Sequence, residues 1–536
     1  MYINTLTIKG FKRFTTFTLD LHKGLNVLVG DNESGKSTLL EALHLALTGQ
    51  LSGRNAQYEI HPYLFNCRIV EEFFCAIKKG LNPPPPEIII EVYIDGENDA
   101  QFARLKGSNN SKRMDCSGLS LRIHVRDEQI EHFQEHVRSN ETPEIVPDDY
   151  YSVTWLAFSG AVMTNRGNPC KSHIIDAALA LKGFGPDKYI SQIINEALTS
   201  NERITLSNSY RRMKDQFSRE PGIGDINKHL DQKKGQITNK QLSLSMDMST
   251  RSTWELAVAA HLDLIPFDLA GKGEKSRVKI KLAIESAATE SILLVEEPEN
   301  HLSHSNMSLL IEEIRLKSTT RQLVLTTHSS YVLNKLGIDS VIFLSATKTT
   351  MKLPDLSAKT RDYFKKLPGY DTLRLILCKK IILVEGPSDE LIVQKAYLQT
   401  YNRLPIQDQI DVLAVGSLAF KRFLEIATKL ELNVAVVTDN DKNVEKLKKK
   451  YSEYIGETQG RIRICFSDDE TLYTLELHLL KCNSRDALNG IFEKSFDHDE
   501  DLLEYMRLHK TAVALKIFDS SQALLYPQFI LDAISE

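Results

Sequence analysis

The sequence lacks the features that mark secreted, membrane-spanning and zinc-binding proteins. Its seven cysteines are scattered and no two stand in a Cys-x-x-Cys spacing, which excludes a zinc ribbon and favours free thiols in a reducing cytoplasm. No uninterrupted apolar run approaches the roughly 18 residues that would suggest a membrane span. The first residues, MYINTLTIKGF, alternate like a strand and have no apolar core of a signal peptide. We therefore expect a soluble, cytoplasmic protein.

The chain also lacks an excess of positive charge. Its 66 basic and 71 acidic residues give a formal net charge of −5, which excludes a histone-like polycation. A local basic groove could still bind DNA, because phosphate contacts depend on local charge. The 536 residues, 42% of them hydrophobic, are enough for two to four domains with ordinary cores.

A glycine-rich loop lies between an apolar strand and an amphipathic helix near the start of the chain. Residues 30–37 read GDNESGKS and match the pattern G-x-x-x-x-G-K-[ST]. In such a loop the backbone N–H groups surround the β-phosphate, Lys36 reaches the β and γ oxygens, and Ser37 ligates Mg²⁺. The predicted nucleotide-binding residues of this loop are Gly30, Asn32, Gly35, Lys36, Ser37 and Thr38.

Three later segments fit the remaining parts of an ATPase site. An apolar strand ends in Glu296, placed to hold Mg²⁺ through water, and in Glu297, placed to orient the attacking water. A turn containing Gly271 and Gly273 opens a helix upstream, and His328 ends the apolar segment LVLTTH, where a γ-phosphate sensor would lie. Alone, an acidic pair can be a solvated strand end and a histidine can be structural. Their order along the chain favours an ATPase.

These segments resemble one group of P-loop proteins. IKGFKRF, GDNESGKST, LAGKGEKS, EEPEN and TTHSS are similar to the ABC ATPases of the SMC/RecF/OLD group, and EEPENHL is most similar to the OLD (overcoming lysogenization defect) family. The resemblance implies that the signature turn of one protomer caps ATP held by another, so we expect a homodimer or higher oligomer. Ser303 and His304 replace the usual His-Pro of the family, which leaves the shape of that loop open.

A second acidic constellation follows in the last third of the chain. Glu385 ends one apolar strand, and Asp439 and Asp441 end another about fifty residues later. The carboxyl ends of parallel strands meet at one crevice, where clustered carboxylates need a cation between them. Mg²⁺ or Mn²⁺ suits such ligands and could support phosphodiester cleavage. The alternative is two unrelated acidic loop ends.

The matched glutamate and Asp-x-Asp pair resembles the Toprim domain of topoisomerases, primases and OLD nucleases. That resemblance implies that Glu385 is a general base or metal ligand and that Asp389, Asp439 and Asp441 are metal ligands, with Glu390 a weaker candidate. Gly416 and Ser417 match the small-residue turn of the family. Glu476, in Thr-Leu-Glu, would be a second metal-site ligand, and Lys510 would neutralise charge at the scissile phosphate. For Lys510 a solvated surface lysine is the alternative reading.

Together these patterns predict an α/β chain of two units. We assign an ABC ATPase to residues 1–164 and 251–350, a helical insertion for dimerisation or a solvated helical decoration to 165–250, a linker to 351–373, and a Toprim nuclease domain with C-terminal helices to 374–536. The basic run Lys442, Lys446, Lys448, Lys449 and Lys450 is either a solvated helix face or a DNA-backbone contact.

The expected function is an ATP-binding and hydrolysing, metal-dependent DNA endonuclease. Membership of the OLD family would imply a role in defence against phage, with a helicase or a reverse-transcribing element (a retron) as partner. The alternative is a RecF-like DNA-binding ATPase without nuclease activity, against which the complete carboxylate set argues. A topoisomerase would need a separate tyrosine-bearing domain, and a bacterial primase a zinc ribbon.

Overall fold

The computed structural model describes most of the chain. The described residues are 2–30, 34–95, 102–139, 145–164, 168–170, 172–176, 198–232, 240, 242–247, 254, 261–271, 273–275, 277–278, 281, 292–300, 302–336, 338–345, 350–352, 355–366, 374, 378, 380–454 and 460–535. Within them, none of the helices is both long enough and apolar enough to cross a membrane.

The first half of the chain is rich in strands. In chain order its elements are β1 (Tyr2–Phe11), β2 (Phe14–Asp20), β3 (Leu25–Gly30), α1 (Lys36–Thr48), β4 (Gln50–Leu51), β5 (Arg54–Asn55), α2 (Cys67–Lys78), β6 (Ile88–Asp95), β7 (Lys106–Gly107), β8 (Cys116–Val125), α3 (Ile130–Ser139), β9 (Tyr151–Ala157), β10 (Ser172–Asp176), α4 (Ser200–Arg219) and α5 (Pro221–Asp231).

The second half alternates strands and helices and ends in helices. It contains β11 (His261–Leu262), β12 (Ile265–Pro266), β13 (Ile292–Glu296), α6 (His304–Lys317), β14 (Leu323–Thr326), α7 (Ser330–Leu336), β15 (Val341–Leu344), β16 (Thr350–Lys352), α8 (Ala358–Lys366), β17 (Lys380–Val384), α9 (Pro387–Tyr401), β18 (Ile410–Ala414), α10 (Phe420–Leu430), β19 (Asn433–Val437), α11 (Val444–Lys450), β20 (Ile462–Cys465), α12 (Leu475–Cys482), α13 (Arg485–Phe492), α14 (Asp499–Leu508), α15 (Lys510–Asp519) and α16 (Gln528–Ile534).

Two sheets enclose the helix that follows the glycine-rich loop. An antiparallel sheet has the order β2-β1-β6-β8-β7, with β9 also paired to β8, and a second sheet has the order β10-β13-β14-β3-β15-β16. Helix α1 contacts strands of both sheets and buries Leu39, Leu43 and Leu47. The predicted β-α-β rhythm therefore forms a sheet whose strands are parallel, apart from the terminal β16.

The register of the second sheet brings the predicted ATPase segments to one edge. Strand β3 pairs with β14, and β14 pairs with β13, so that Glu296 lies opposite Thr326 and Thr326 lies opposite Leu28. All three strands are parallel and buried because their sequences are continuous apolar runs. The residues that follow them consequently share the carboxyl edge of the sheet.

Part of the predicted helical insertion is a strand. Residues 172–176, which we read as the start of a helix, form β10 and pair in parallel with β13 as an edge strand of the ATPase sheet. The alternating pattern was too short to separate a strand from a helix. Residues 200–219 and 221–231 form the helices α4 and α5, whereas residues 177–197 lie outside the described residues. A dimerisation role for the insertion stays a prediction.

The predicted linker also has regular structure. Strand β16 pairs antiparallel with β15, and α8 packs on α10 of the following unit. The described part of residues 351–373 thus contains the end of a strand and a helix, which the weak periodicity of the segment did not indicate. The domain boundaries themselves stay predictions.

The last unit has a parallel sheet covered by helices. Its strands have the order β18-β17-β19-β20, and every neighbouring pair is parallel. Helices α9, α12 and α14–α16 bury their apolar faces in one cluster with Ile382, Val384 and Val412. This confirms the second β-α-β series and places the ends of β17 and β19 side by side.

Candidate nucleotide and carboxylate sites

The two glycines that border the glycine-rich loop, Gly30 and Gly35, lie at positions where no larger residue fits. Gly35 precedes α1 with a φ of 96°, and a Cβ there would lie 2.6 Å from the Arg13 side chain. A Cβ on Gly30 would lie 2.2 Å from the carbonyl oxygen of Leu344. Both positions therefore require glycine. Lys36 is buried, and its Nζ donates to the Gly30 carbonyl oxygen at 2.9 Å.

Of the remaining predicted residues of the loop, the structure describes Ser37 and Thr38. Ser37 and Thr38 lie in the first turn of α1, where Ser37 is exposed and Thr38 is half-buried. Asn32 lies outside the described residues. The N-terminus of α1 therefore presents its free N–H groups and the Ser37 hydroxyl at the carboxyl edge of the sheet, which suits a phosphate group with a bound cation.

The predicted water-orienting glutamate contacts the predicted sensor histidine. Glu297 follows β13, and its backbone N–H donates to the Thr326 carbonyl oxygen at 3.0 Å. Its Oε1 lies 3.2 Å from His328 Nε2, and its Oε2 accepts from Asn300 Nδ2 at 2.8 Å. Glu297 also has a φ of 42°, a conformation that non-glycine residues rarely adopt. Glu296 is the last residue of β13, directly before this turn.

Sequence reasoning missed a third carboxylate in this turn, Glu299. Its Oε1 accepts from Thr327 Oγ1 at 2.6 Å and from the backbone N–H of His328 at 2.9 Å. Its Oε2 is buried and has no hydrogen-bond partner among the described residues. Burial raises the pKa of Glu299, and the hydrogen bond from Thr327 partly offsets this. The only sequence signal was a glutamate two positions after the acidic pair.

The predicted signature turn lies on the surface. Gly271 is exposed with open space where a Cβ would be, and Gly273 begins a helical segment. The short hairpin of β11 and β12 lies just before it. Leu264 in the turn of that hairpin is 93% exposed, and Leu269, three residues after β12, is 77% exposed. A turn that would cap a nucleotide on another protomer must be accessible in this way.

The second site lies at the ends of β17 and β19. Glu385 follows β17 and accepts from Thr438 Oγ1 at 2.7 Å, and Thr438 immediately follows β19. Asp389 lies in the first turn of α9 and accepts from the Gly386 backbone N–H at 2.9 Å. Asp439 is next to Thr438 in the chain. Two predicted metal ligands and the predicted base thus meet at one edge of the sheet.

The carboxylates are close enough to perturb one another. Burial and, to a smaller extent, the charges of Glu385, Asp389 and Glu476 together raise the pKa of Asp439 to about 8. Burial also raises the pKa of Asp389 to about 6, although its hydrogen bond from Gly386 opposes this. The shared field shows that these four side chains form one cluster. A cation would relieve their repulsion.

Glu476 and Lys510 complete the cluster from two C-terminal helices. Glu476, in the first turn of α12, is 8% exposed, and its Oε1 lies 3.0 Å from Lys510 Nζ at the start of α15. Although burial opposes it, the hydrogen bond and charge of Glu476 raise the pKa of Lys510. Glu476 Oε2 and Thr474 Oγ1 are buried without hydrogen-bond partners among the described residues. Oxygen atoms in this state are suited to a ligand that the protein alone does not provide.

Other residues predicted for this site lie at its border. Asp441 is exposed in a turn, with a φ of 48°, and it is not among the charges that shift the pKa of Asp439. Glu390 accepts from Gln394 Nε2 at 3.2 Å, on the helix side of the loop. Gly416 has a φ of 79° and the Ser417 carbonyl oxygen accepts from Lys450 at 3.4 Å. A ligand role for Asp441 stays a prediction.

The side chains of the cluster are of the type that binds a divalent metal, but their oxygen atoms do not converge on one position. Carboxylate oxygens are the ligands that Mg²⁺ and Mn²⁺ prefer. Within the part of the chain that the structure describes, no three acidic, histidine or cysteine side chains stand close enough to hold one ion. Glu385, Asp439 and Glu476 would hold it after changes of side-chain rotamer.

All five lysines of the basic run after the second acidic strand are exposed, but three of them contact other side chains. Lys448 pairs with Asp468 at 2.8 Å, and Lys450 lies over the ring of Tyr451 at 4.9 Å. Lys446 and Lys449 are exposed on α11, whereas Lys442 lies over the ring of Tyr473. The five lysines therefore do not form one continuous face.

Comparison with known families agrees with both sites. A model described as an AAA domain matches residues 5–244, and a second AAA-domain model matches residues 171–334. A model described as the Toprim domain of overcoming-lysogenization-defect-like proteins matches residues 376–441, which contain Glu385 and Asp439. The chain joins an AAA ATPase domain to an OLD-like Toprim domain. This confirms the predicted α/β fold class.

Individual relatives match to different extents. Endonuclease GajA of Bacillus cereus is 22% identical over 490 residues, which cover 85% of this chain and 78% of that protein. An ATP/GTP phosphatase of Helicobacter pylori is 23% identical over 61% of this chain and 85% of its own length. The DNA replication and repair protein RecF of Symbiobacterium thermophilum is 46% identical, but over only 9% of this chain and 13% of its own.

Two solved structures are similar to parts of the chain. An Smc head bound to the C-terminal winged-helix domain of ScpA is 16% identical, with a TM-score of 0.33, over 66% of this chain and 99% of its own. The C-terminal region of the OLD protein of Xanthomonas campestris is 18% identical, with a TM-score of 0.24, over 30% of this chain and 92% of its own.

Proposed function

We propose that the chain is an ATP-binding and hydrolysing, divalent-metal-dependent DNA endonuclease. The observation that carries the proposal is the cluster of Glu385, Asp389, Asp439 and Glu476 with Lys510, at the carboxyl edge of the OLD-like Toprim sheet. It lies downstream of a complete P-loop in the same chain. Endonuclease GajA, which this chain matches along most of its length, supports the combination.

At the Toprim site each residue has a specific task in cutting a phosphodiester bond. Metal ions bound there would supply an activated water and neutralise the leaving oxygen. Glu385, fixed by the hydrogen bond from Thr438, accepts the proton of the attacking water or ligates the ion. Asp439 and Glu476 provide oxygen ligands on the two sides of the cluster. Lys510 is placed to stabilise the charge that develops on the phosphate.

At the ATPase site the chain supplies binding and orientation. Lys36 and the backbone of the glycine-rich loop hold the phosphates, and Ser37 and Glu296 hold the metal, directly and through water. Glu297 orients the attacking water while His328, in contact with it, lies where the γ-phosphate would be. ATP with Mg²⁺ is the cofactor that we propose here, and Mg²⁺ or Mn²⁺ at the Toprim site.

The setting of this activity is also part of the proposal. DNA is the substrate, a homodimer or higher oligomer is the assembly, and defence against phage is the biological role. A helicase or retron partner remains a prediction from the family resemblance, and no contact or comparison supports it. The alternative of a RecF-like ATPase without nuclease activity is weaker, because the RecF similarity covers only a short part of the chain.

The direct test is cleavage of supercoiled plasmid with Mg²⁺ or Mn²⁺, each with and without ATP. Wild type should nick or linearise the plasmid, whereas Glu385→Gln and Asp439→Asn should lose at least about a hundredfold in rate, as expected for removal of a metal ligand or general base. Glu431→Gln, which alters only a surface ion pair with Arg461, is the matched control. An intact plasmid under every condition would refute the nuclease.

A further inference from the structure

Two cations near the carboxylate cluster share one aromatic ring. Lys442 Nζ lies 4.0 Å from the centre of the Tyr473 ring, and the guanidinium of Arg507 lies 5.5 Å from it. Arg507 also donates to the Tyr473 hydroxyl at 3.1 Å. We call these three residues the Lys442–Tyr473–Arg507 platform. It brings together residues from three separate segments of the chain.

Each residue of the platform lies three positions along the chain from a residue of the cluster. Lys442 is three positions after Asp439, Tyr473 is three positions before Glu476, and Arg507 is three positions before Lys510. Three residues span at most about 10 Å of chain. Helix α14, which carries Arg507, also packs against α12, which carries Glu476. The platform therefore borders the carboxylates and cannot move far from them.

Neighbouring hydrogen bonds fix the platform. Asn440 is buried and donates to the carbonyl oxygens of Ser467 at 3.0 Å and Asp469 at 2.9 Å, while its Oδ1 accepts from the Lys442 backbone N–H at 3.0 Å. These bonds hold Lys442 at a φ of 63°. Its position is thus determined by the fold.

The positive charge of the platform is not neutralised by the protein. Among the described residues, neither Lys442 nor Arg507 forms an ion pair with a carboxylate. The three acids of the adjacent loop have other partners: Asp468 pairs with Lys448 at 2.8 Å, Asp469 pairs with Lys481 at 3.4 Å, and Glu470 accepts from the Val444 backbone N–H at 2.9 Å. Two cations that share one ring repel each other, and an anion between them would lower that energy.

We infer that the Lys442–Tyr473–Arg507 platform binds the DNA backbone one to a few phosphates away from the scissile bond. Successive phosphates of one strand are about 3.4 Å apart along the duplex axis, so the platform is within reach of a strand whose scissile phosphate lies at the cluster. Lys442 and Arg507 would contact phosphate oxygens, and Tyr473 keeps both cations in place. This inference rests on the proposed nuclease function.

The test measures binding of a labelled 30-base-pair duplex (about three helical turns) to the full-length protein in EDTA, where metal-dependent cutting cannot occur. Lys442→Gln and Arg507→Gln should each weaken binding roughly fivefold to tenfold at 0.1 M salt and lower the salt slope by about one unit. Lys494→Gln is the matched control, because it removes the same charge from an exposed position after α13, outside the basic run. It should change binding less than about twofold.

Each other outcome has a definite meaning. Unchanged binding by Lys442→Gln and Arg507→Gln, or an equal loss by Lys494→Gln, would overturn the platform. Replacing chloride by inorganic phosphate at equal ionic strength should have little effect, and strong displacement of the duplex would assign the platform to free phosphate instead. The binding assay needs no cleavage and is therefore independent of the plasmid test. If wild type fails to cut the plasmid, the proposed nuclease activity is refuted but the binding result still stands.

Discussion

Three glutamates lie within the four residues 296–299, and each has a different environment. Glu296 ends β13, Glu297 contacts His328, and Glu299 accepts two hydrogen bonds from the turn that carries His328. Glu299 therefore positions the histidine through its backbone, whereas Glu297 contacts its ring. The buried Oε2 of Glu299 shows that this arrangement costs some desolvation energy.

Removing the Glu299 carboxylate should slow ATP hydrolysis with little effect on ATP affinity. Glu299→Ala removes two hydrogen bonds that fix the His328 turn, an effect of about 1–3 kcal/mol, or roughly tenfold in kcat. The KM for ATP should change less than about threefold, because the phosphate-binding loop is untouched. Glu299→Gln keeps an acceptor and should retain most of the activity in a steady-state ATPase assay.

The control for this experiment is Glu312→Ala on α6. Glu312 forms an exposed ion pair with Arg315, so its removal changes the same charge without touching the turn. Equal kcat values for Glu299→Ala and Glu312→Ala would show that Glu299 does not position His328.

Asp439 makes the stability of the metal-free protein depend on pH. The pKa of Asp439 is raised to about 8 in the folded state from a reference value of 3.8. Well below pH 3.8 the carboxyl is therefore protonated in both the folded and the unfolded protein. Between these values the unfolded state loses the proton first, and stability falls as the pH rises towards 8. We expect urea unfolding in EDTA to show lower stability at pH 8 than at pH 5.5.

Asp439→Asn removes the carboxyl with the larger pKa shift and should reduce this dependence, leaving the smaller contribution of Asp389. Divalent metal should stabilise wild type more at pH 8 than at pH 5.5, since binding requires the ionised carboxylate. A pH profile that is identical in wild type and Asp439→Asn would contradict the assignment of Asp439 to the buried cluster.

At the scale of elements, the segment between the two sheets is a packed joint. Strand β16 extends the ATPase sheet, and α8 packs on α10 through Phe364, whose ring centre lies 5.2 Å from that of Phe423. Glu425 on α10 accepts from the Ser357 backbone N–H at 2.5 Å and from Thr360 Oγ1 at 2.6 Å, just before and within α8. One apolar cluster therefore includes residues of both units.

Phe364→Ala should loosen this joint. Truncating a fully buried phenylalanine typically costs about 3–5 kcal/mol, and the loss here falls between the two units. We expect limited proteolysis near residues 345–375 to become faster. We also expect the ATPase and plasmid-cleavage activities to become independent of each other. Phe217→Ala, at a position 42% exposed on α4, serves as the control and should change neither. Proteolysis at an unchanged rate in Phe364→Ala would argue against a packed joint.

At the scale of the whole molecule, we propose that the exposed apolar residues before the signature turn contact a second copy of the chain. Leu264 is 93% exposed and Leu269 is 77% exposed, although isolated leucines of this kind are common on surfaces. Their position beside Gly271 is what indicates a partner, because the family resemblance implies that this turn meets ATP on a second protomer.

Leu264→Asp combined with Leu269→Asp should weaken an ATP-dependent dimer. Two charges in a contact between copies of the chain should reduce association by at least about tenfold, and ATP hydrolysis should fall in parallel. Sedimentation velocity with and without ATP would measure this, with Leu316→Asp on α6 as the control at an exposed leucine elsewhere. A monomer at all concentrations of ATP in wild type would contradict the predicted assembly.

Much of the site chemistry could be predicted because it is local in the sequence. The glycine-rich loop, the acidic strand ends and the Asp-x-Asp pair each need residues at fixed short spacings, and apolar runs around them indicate strands. The roles of Glu299, Thr438 and Tyr473 could not be predicted in this way. Each of the three forms a hydrogen bond with a residue that is distant in the chain, at a separation of 28 to 53 positions.

The amino-acid sequence by itself determined the α/β class, the order of the ATPase and Toprim units, and the residue types at the two sites. Only the tertiary structure decided which carboxylates share one field, that Lys510 pairs with Glu476 rather than with solvent, and that residues 172–176 pair with β13. The physical reason is that backbone pattern is set by neighbours in the chain, whereas burial and Coulomb interaction depend on distance in space.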